Sequence, residues 1–335
     1  FWYKGQQGST SMKTKLRFTA TLLAASCFGF LSSAAQAQTS FPEKPVTLVV
    51  GFSPGSSIDL VARTVAKNLA TKLKQPVIVE NKSGAGGNVA AEYIAHAKPD
   101  GYTLLVVANS IAISPAIYPD LRFDVTKDLA AIAYVGIGPV IMKVSKSLNI
   151  NNLGQLVAYA KANPGKLNYG SSGVGGTPHM ATVLFDQIAG TQMTHIPYKG
   201  GADALAGLLG GQVDLLINPL LGDTQSDRIT SIAITGDKRS VLAPDIPTFK
   251  ELGYPNYNIG VYYGIMGPKA IPQDIVVKIN ASVNETLADK DIIETLSTRS
   301  GIVLDPMTPV QFQDYLNKDI ELWKDVVAKN KSAIN

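Results

Sequence analysis

Short apolar runs rich in Val, Ile and Tyr alternate with longer stretches whose apolar residues recur every three or four positions. That alternation predicts an α/β fold, a mainly parallel sheet covered by helices. Val46 to Phe52, Val77 to Val79 and Tyr102 to Val107 have the length and composition of strands. Between the first two, Ile58, Val61, Ala62, Val65, Leu69 and Leu73 place one apolar stripe on a helix. The next helix, Val89 to Ala97, is entered through Gly84-Ala85-Gly86-Gly87 and left through Pro99-Asp100-Gly101. A second set begins near Val140, with strands at Val140 to Val144, Leu167 to Tyr169, His195 to Tyr198, Val213 to Ile217 and Ser231 to Ile234. Its helices fall at Asn152 to Ala162, Pro178 to Ala189 and Ala202 to Leu209.

Asp237 to Asn258, with Pro244, Pro247 and Pro255, predicts an irregular return, followed by a strand over Ile259 to Met266. Two helices end the chain. One opens at Pro272 and repeats Ile275, Ile279, Val283 and Leu287; the other opens at Thr308-Pro309 and repeats Phe312, Leu316, Ile320 and Val327. Their stripes need a sheet to cover, and the first set of strands has too few helices of its own. The expected organisation is a discontinuous domain I, residues 38–138 with 250–335, and a domain II, residues 139–249. Two chain crossings near residues 138 and 250 then form a hinge, with a ligand cleft between the domains.

The start of the chain changes the charge balance. Residues before Met12 are set aside; from there Lys13, Lys15 and Arg17, the apolar stretch Phe18 to Leu31 and the small-residue site Ala35-Gln36-Ala37 make a secretory signal. The apolar stretch falls short of the roughly 20 residues of a spanning helix. Residues 1–37 are therefore the expected leader, cleaved after Ala37. They hold the only cysteine, Cys27, and four of the 30 basic residues, so the remainder carries 26 basic against 26 acidic. A neutral exported chain without a thiol offers no disulfide or cysteine metal site and no basic footprint for nucleic acid.

Two loops, each following a strand and opening a helix, carry the chemistry. The first is Phe52-Ser53-Pro54-Gly55-Ser56-Ser57-Ile58-Asp59, where open α/β sheets bind ligands. Ser56 is placed to cap the helix, with Asp59 completing a weak capping box, and the free N–H groups of the first turn attract anions. Asp59 has two readings, a cap or an acceptor for an amino or hydroxyl group of the ligand. The second loop is Gly170-Ser171-Ser172-Gly173-Val174-Gly175-Gly176-Thr177-Pro178-His179, with Thr177 as the expected N-cap and Pro178 as the first helical residue. Neither loop has Lys or Arg, so an acid held here is gripped by amides and hydroxyls, one pole on each side of the cleft. The polar strand ends Asn109, Ser110 and Asn218 and the aromatic Tyr262 complete the candidate site. His96 and His195 read as ordinary residues, His179 as support for the second loop.

Enzyme readings fare worse. Gly51-Phe52-Ser53-Pro54-Gly55 matches the nucleophile elbow, but the residue after its serine must lend an N–H to the oxyanion hole and Pro54 has none. The glycine runs keep only two glycines of a dinucleotide fingerprint, and the three histidines lack metal-ligand spacing. The expectation is no enzyme, no cofactor and no metal.

A family resemblance covers nearly the whole chain after the leader. Pro42-x-Lys44-Pro45-Val46, Phe52-Ser53-Pro54-Gly55-x-x-x-Asp59, Val79-Glu80-Asn81-Lys82-x-Gly84-Ala85-Gly86-Gly87, Pro99-Asp100-Gly101-Tyr102, Tyr169-Gly170-Ser171-Ser172-Gly173 and Pro197-Tyr198-Lys199-Gly200 resemble the Bug-type receptors of tripartite tricarboxylate transporters. The resemblance implies a type II-like periplasmic binding protein. It also implies a monomer in the periplasm that binds a dicarboxylate, tricarboxylate, acidic amino acid or aromatic acid and delivers it to integral membrane transporter subunits, without itself entering the membrane. Family binding loops fall on Phe52 to Asp59 and Ser171 to His179. Ser56-Ser57, where a second glycine is frequent, and a shortened stretch near Asp223 to Ile229 depart from the pattern. A sensor that presents the bound acid to a signalling protein remains an alternative.

Overall fold

One long strand organises the molecule. The computed structural model describes residue 1, residues 41–219 and residues 226–330, so the expected leader, Phe1 apart, and Asp223 to Gln225 of the shortened stretch lie outside the described residues. Strand β4, Leu129–Ser145, is buried along almost its whole length. From Leu129 to Pro139 it pairs antiparallel with β9, Gly260–Pro268. From Val140 onward it pairs instead with β7, Leu215–Pro219, and β8, Ile229–Ile234. The strand thus leaves one half of the sheet and enters the other at the Pro139-Val140 step, and the proline marks the change because it has no N–H to donate to a ladder.

The first half runs β2-β1-β3-β9-β4, built from β1 (Val46–Val50), β2 (Val77–Asn81) and β3 (Thr103–Val107). The second runs β4-β7-β5-β6, with β5 at Asn168–Ser171 and β6 at Thr194–Pro197. Each half keeps its parallel crossovers, β2 and β3 on β1, β6 and β7 on β5. The expectation of a mainly parallel sheet needs correcting to a mixed one, because the shared strands β4 and β9 run against their neighbours. The run from Leu129 to Gly138 escaped prediction; its Ala and Gly residues carry neither β-branching nor alternation.

The helices follow the apolar stripes. Helix α1, Ser57–Leu73, buries Ile58, Val61, Ala62, Val65, Leu69 and Leu73. After α2, Asn88–Ala95, an unpredicted α3 spans Ser110–Ile117. Helices α4 (Leu153–Ala162), α5 (Thr177–Ala189) and α6 (Gly201–Leu209) cover the second half. After α7, Gln273–Leu287, and the short strand β10, Val303–Leu304, comes α8, Pro309–Lys329. Thr308 and Gln311 close a capping box at its start. It packs Phe312, Leu316, Ile320 and Trp323 into a core shared with α3 and β4. Each such side chain contributes about 1.5–3 kcal/mol by burial. Among the described residues no helix is long and apolar enough to cross a membrane.

The return before β9 is less irregular than its prolines suggest. Phe249, Tyr254 and Tyr257 gather on Phe185 of α5, and the Tyr257 hydroxyl donates to Ala181 O at 2.9 Å. Residues 250–257, expected with the C-terminal helices, therefore pack on α5.

Candidate functional site

The N-termini of α1 and α5 open onto one cavity of about 390 Å³, counting the space at its mouth. Its wall is Phe52, Ser56, Ser57 and Ile58 from the first loop, Ser172, Thr177 and Pro178 from the second, and Ala108, Gly201, Pro219 and Val261. The first-turn N–H groups of a helix have no carbonyl within the helix to bond, so each terminus presents donors and a partial positive charge. The side chains add hydroxyls and hydrocarbon, and among the described residues no charged group stands in this wall.

In the first loop Ser56 is the N-cap of α1, yet its side chain makes no capping bond. The residue stands in the cavity wall, and its hydroxyl is buried with no hydrogen-bond partner among the described residues. The expected capping box is absent because Asp59 is engaged elsewhere. Its Oδ2 accepts from Gly55 N (3.0 Å) and Arg63 Nε (2.9 Å), and its Oδ1 accepts from Asn81 Nδ2 (2.8 Å). Burial alone would raise the Asp59 pKa, but the bonds from Arg63, Asn81 and Gly55 outweigh it and hold the carboxyl below its usual range. Asn81 Nδ2 also lies 3.0 Å from Phe52 O, to which it donates. Asp59 therefore stands outside the cavity wall and braces the loop through Gly55, Arg63 and Asn81.

The second loop starts α5 one residue earlier than expected. Gly176 is the N-cap and Thr177 the first helical residue, so Thr177 makes no cap and lines the cavity instead. Ser171 is fully buried beneath, where its Oγ accepts from Gly173 N (3.1 Å) and lies 2.6 Å from His195 Nε2. Gly175 N donates to His179 Nδ1 at 3.2 Å. Burial pushes His179 down to about 3, helped by His195, and His195 down to about 4.

The loops meet. Ser53 Oγ donates to Asp203 Oδ2 in the first turn of α6, at 3.0 Å, and Tyr118 OH donates to Val174 O at 2.8 Å. Gly86, at φ +64°, lies so close that a Cβ there would come within 2.6 Å of Val174 O.

Sequence comparison fits this geometry. The model of the tripartite tricarboxylate transporter family receptor, TctC, matches residues 61–333. The chain belongs to this family. It is 33% identical over 292 residues to the protein BugT of Bordetella pertussis, covering 86% of this chain and 89% of that one. The solved periplasmic binding protein BugD superposes with a TM-score of 0.82 at 30% identity, over 87% of this chain and 99% of that one. R. palustris Rpa4515, solved with adipate, superposes with a TM-score of 0.81 at 30% identity, over 87% and 98%. The type II-like periplasmic binding fold, two α/β domains about a cleft, is thereby shared with solved relatives.

Within this TctC receptor the sequence-chosen residues divide. Phe52, Ser56, Ser57, Ser172, Thr177 and Pro178 stand in the cavity wall. Ser53, Gly55, Asp59, Ser171, Gly173 and His179 do not; they shape or join the loops that do. Asn109 is outside this wall, and its side chain donates to Gly260 O and accepts from Tyr262 N, tying the end of β3 to β9. Ser110 lies behind Phe52. Asn218 adjoins the wall residue Pro219, and its buried Oδ1 has no partner among the described residues. Tyr262 also stands outside this wall. Its ring packs among Tyr134, Phe312 and Tyr315, since strand alternation turns Val261 to the cavity and its neighbour to α8.

Sequence reasoning missed Gly201 and Asp203, although the glycine pair Gly200-Gly201 at a helix start was a visible signal. An acid in a first helical turn reads by itself as dipole compensation. Nothing local marks Asp203 as a partner for Ser53.

Proposed function

We propose that the chain is a periplasmic receptor that closes on a small organic carboxylate, placing it between the N-termini of α1 and α5, and delivers it to integral membrane subunits of a tripartite transporter. The observation that carries this reading is Ser56 at the start of α1, a residue of the cavity wall whose buried hydroxyl makes no capping bond and has no partner among the described residues. A carboxylate there would take up the hydroxyl and the first-turn amides, with Thr177 and the α5 terminus on the other side. The adipate bound by Rpa4515 supports an acid as the ligand. Di- and tricarboxylates, acidic amino acids and aromatic acids are the candidates.

The lobes proposed are residues 42–139 with 259–330 and residues 140–258, a hinge formed by the Pro139-Val140 step and the approach to β9. The protein works as a monomer, exported by a leader cleaved after Ala37. It is not an enzyme: the one serine in an elbow-like motif, Ser53, hydrogen-bonds a carboxylate, not an imidazole.

Calorimetric titration of the purified chain with malate, adipate, citrate, glutamate and benzoate tests the reading. At least one acid is expected to bind, and Ser56→Ala to weaken it about tenfold with unchanged melting temperature, as loss of one hydrogen bond to a charged group implies. Failure of all five acids, with no acid released on denaturing the purified protein, would sink it.

A further inference from the structure

Two imidazoles lie under the loop that carries Ser172 and Thr177. The rings of His179 on α5 and His195 on β6 stack with centroids 4.0 Å apart and planes 15° apart. Tyr169 of β5 adjoins both, at 4.9 Å from His195 and 6.3 Å from His179. The loop above has little shape of its own. Gly173 and Gly175 sit at φ +111° and +72°, and glycine populates such conformations without preferring them. A turn bond from Gly176 N to Gly173 O and the Tyr118 hydroxyl on Val174 O hold part of it, and the two rings supply further points of attachment: His195 Nε2 to Ser171 Oγ at 2.6 Å, and His179 Nδ1 to Gly175 N at 3.2 Å.

We infer that His179 and His195 are the positioning residues of the carboxylate site, a stacked pair of neutral rings that pins Ser171 and Gly175 so that Ser172 and Thr177 reach the cavity. The inference rests on the reading that this loop receives the acid. Its chemistry is specific about the proton. His179 Nδ1 accepts the Gly175 N–H, so the ring proton sits on Nε2, which is buried without a partner among the described residues. A protonated His179 would turn a second donor on Gly175 and set a cation against the stacked His195. The facing titratable groups are Tyr169 on β5, His195 on β6 and, acting on Tyr169, Asp186 on α5. Burial keeps both imidazoles in the neutral form the geometry requires.

Hydrogen exchange and ring nitrogen-15 spectra of the full chain test this. At pH 7 the His179 ring is expected as the Nε2–H tautomer. The Gly175 amide is expected to exchange about tenfold faster in His179→Phe, which keeps a ring and loses the acceptor, and to recover in His179→Asn, whose carbonyl oxygen replaces Nδ1; one lost hydrogen bond sets that scale. Affinity for adipate and malate should follow the same order. Unchanged Gly175 exchange in His179→Phe, or equal loss in Phe and Asn variants, would overturn the inference. If wild type binds neither acid, the exchange result still decides the positioning role, and the receptor reading alone is damaged.

Discussion

The Ser53 hydroxyl donates to Asp203 Oδ2 across 3.0 Å, joining residues 150 positions apart in sequence. Ser53 leads into α1 and Asp203 sits in the first turn of α6, near the wall residue Gly201, so the bond ties together two elements that border the cavity. It is exposed, and such a bond contributes about 0.5–1.5 kcal/mol. Ser53→Ala is expected to lower carboxylate affinity about three- to tenfold while leaving the melting temperature nearly unchanged. Titration calorimetry on both proteins reads the effect. Equal affinities would mean that the contact is incidental to closure.

A sharper test of closure is Gly86→Ala. The residue has φ +64°, and its Cβ would stand 2.6 Å from Val174 O, the oxygen that also accepts from Tyr118 OH. An added methyl costs about 1 kcal/mol in the backbone alone and opposes the approach of the second loop. The variant should fold, bind carboxylate more than tenfold more weakly, and scatter as a larger particle in saturating ligand. A scattering curve superimposable on that of wild type would remove Gly86 from the closing surface.

Much of this was legible along the chain because it is local. The stripe of α1, the Thr308-Pro309 start of α8 and two glycine- and serine-rich loops at helix openings follow from spacing and capping chemistry. What stayed hidden depends on contacts between distant segments. Alternation says that Tyr262 and Tyr263 face opposite ways, not which of them meets α8. Asp59 and Ser56 have the spacing of a capping box, and only the fold brings Arg63 and Asn81 to claim the carboxylate first. His195 read as ordinary because its partners, Ser171 and His179, come from β5 and α5. The small residues of β4 hide a strand that the sheet defines from both sides.

The Asp59 brace makes a pH-dependent prediction. Its carboxyl titrates below the unfolded value near 4, so its contribution is present above that value and lost as pH falls through the folded one. Asp59→Asn replaces one of the two acceptor oxygens by an NH2 donor, so it cannot accept from Gly55, Arg63 and Asn81 together, and it is expected to cost about 1–3 kcal/mol at pH 7. Below about pH 4 the gap between variant and wild type should narrow as the wild-type carboxyl protonates. Thermal melts from pH 7 to pH 3 measure it, and a gap independent of pH would show that the charge of Asp59 is not what holds Gly55 and Arg63.

Asp319 carries the opposite sign. On α8 it faces Tyr262 and Trp323, with Tyr315 close by, and burial pushes its carboxyl up to about 7. A folded pKa above the unfolded one gives a contribution that is complete below about 4 and is lost as pH rises through 7. Ionising this group beneath the β9 strand is therefore a cost that the protein bears at neutral pH, and Asp319→Asn removes it. The variant is expected to match wild type in stability near pH 4 and to be more stable at pH 8, by on the order of 1–3 kcal/mol, read as a higher melting temperature. His179 and His195, whose folded pKa values lie low, act in both proteins alike and cancel in the difference. If wild type and variant trace parallel curves from pH 4 to pH 8, Asp319 is solvated well enough to titrate as an ordinary carboxyl.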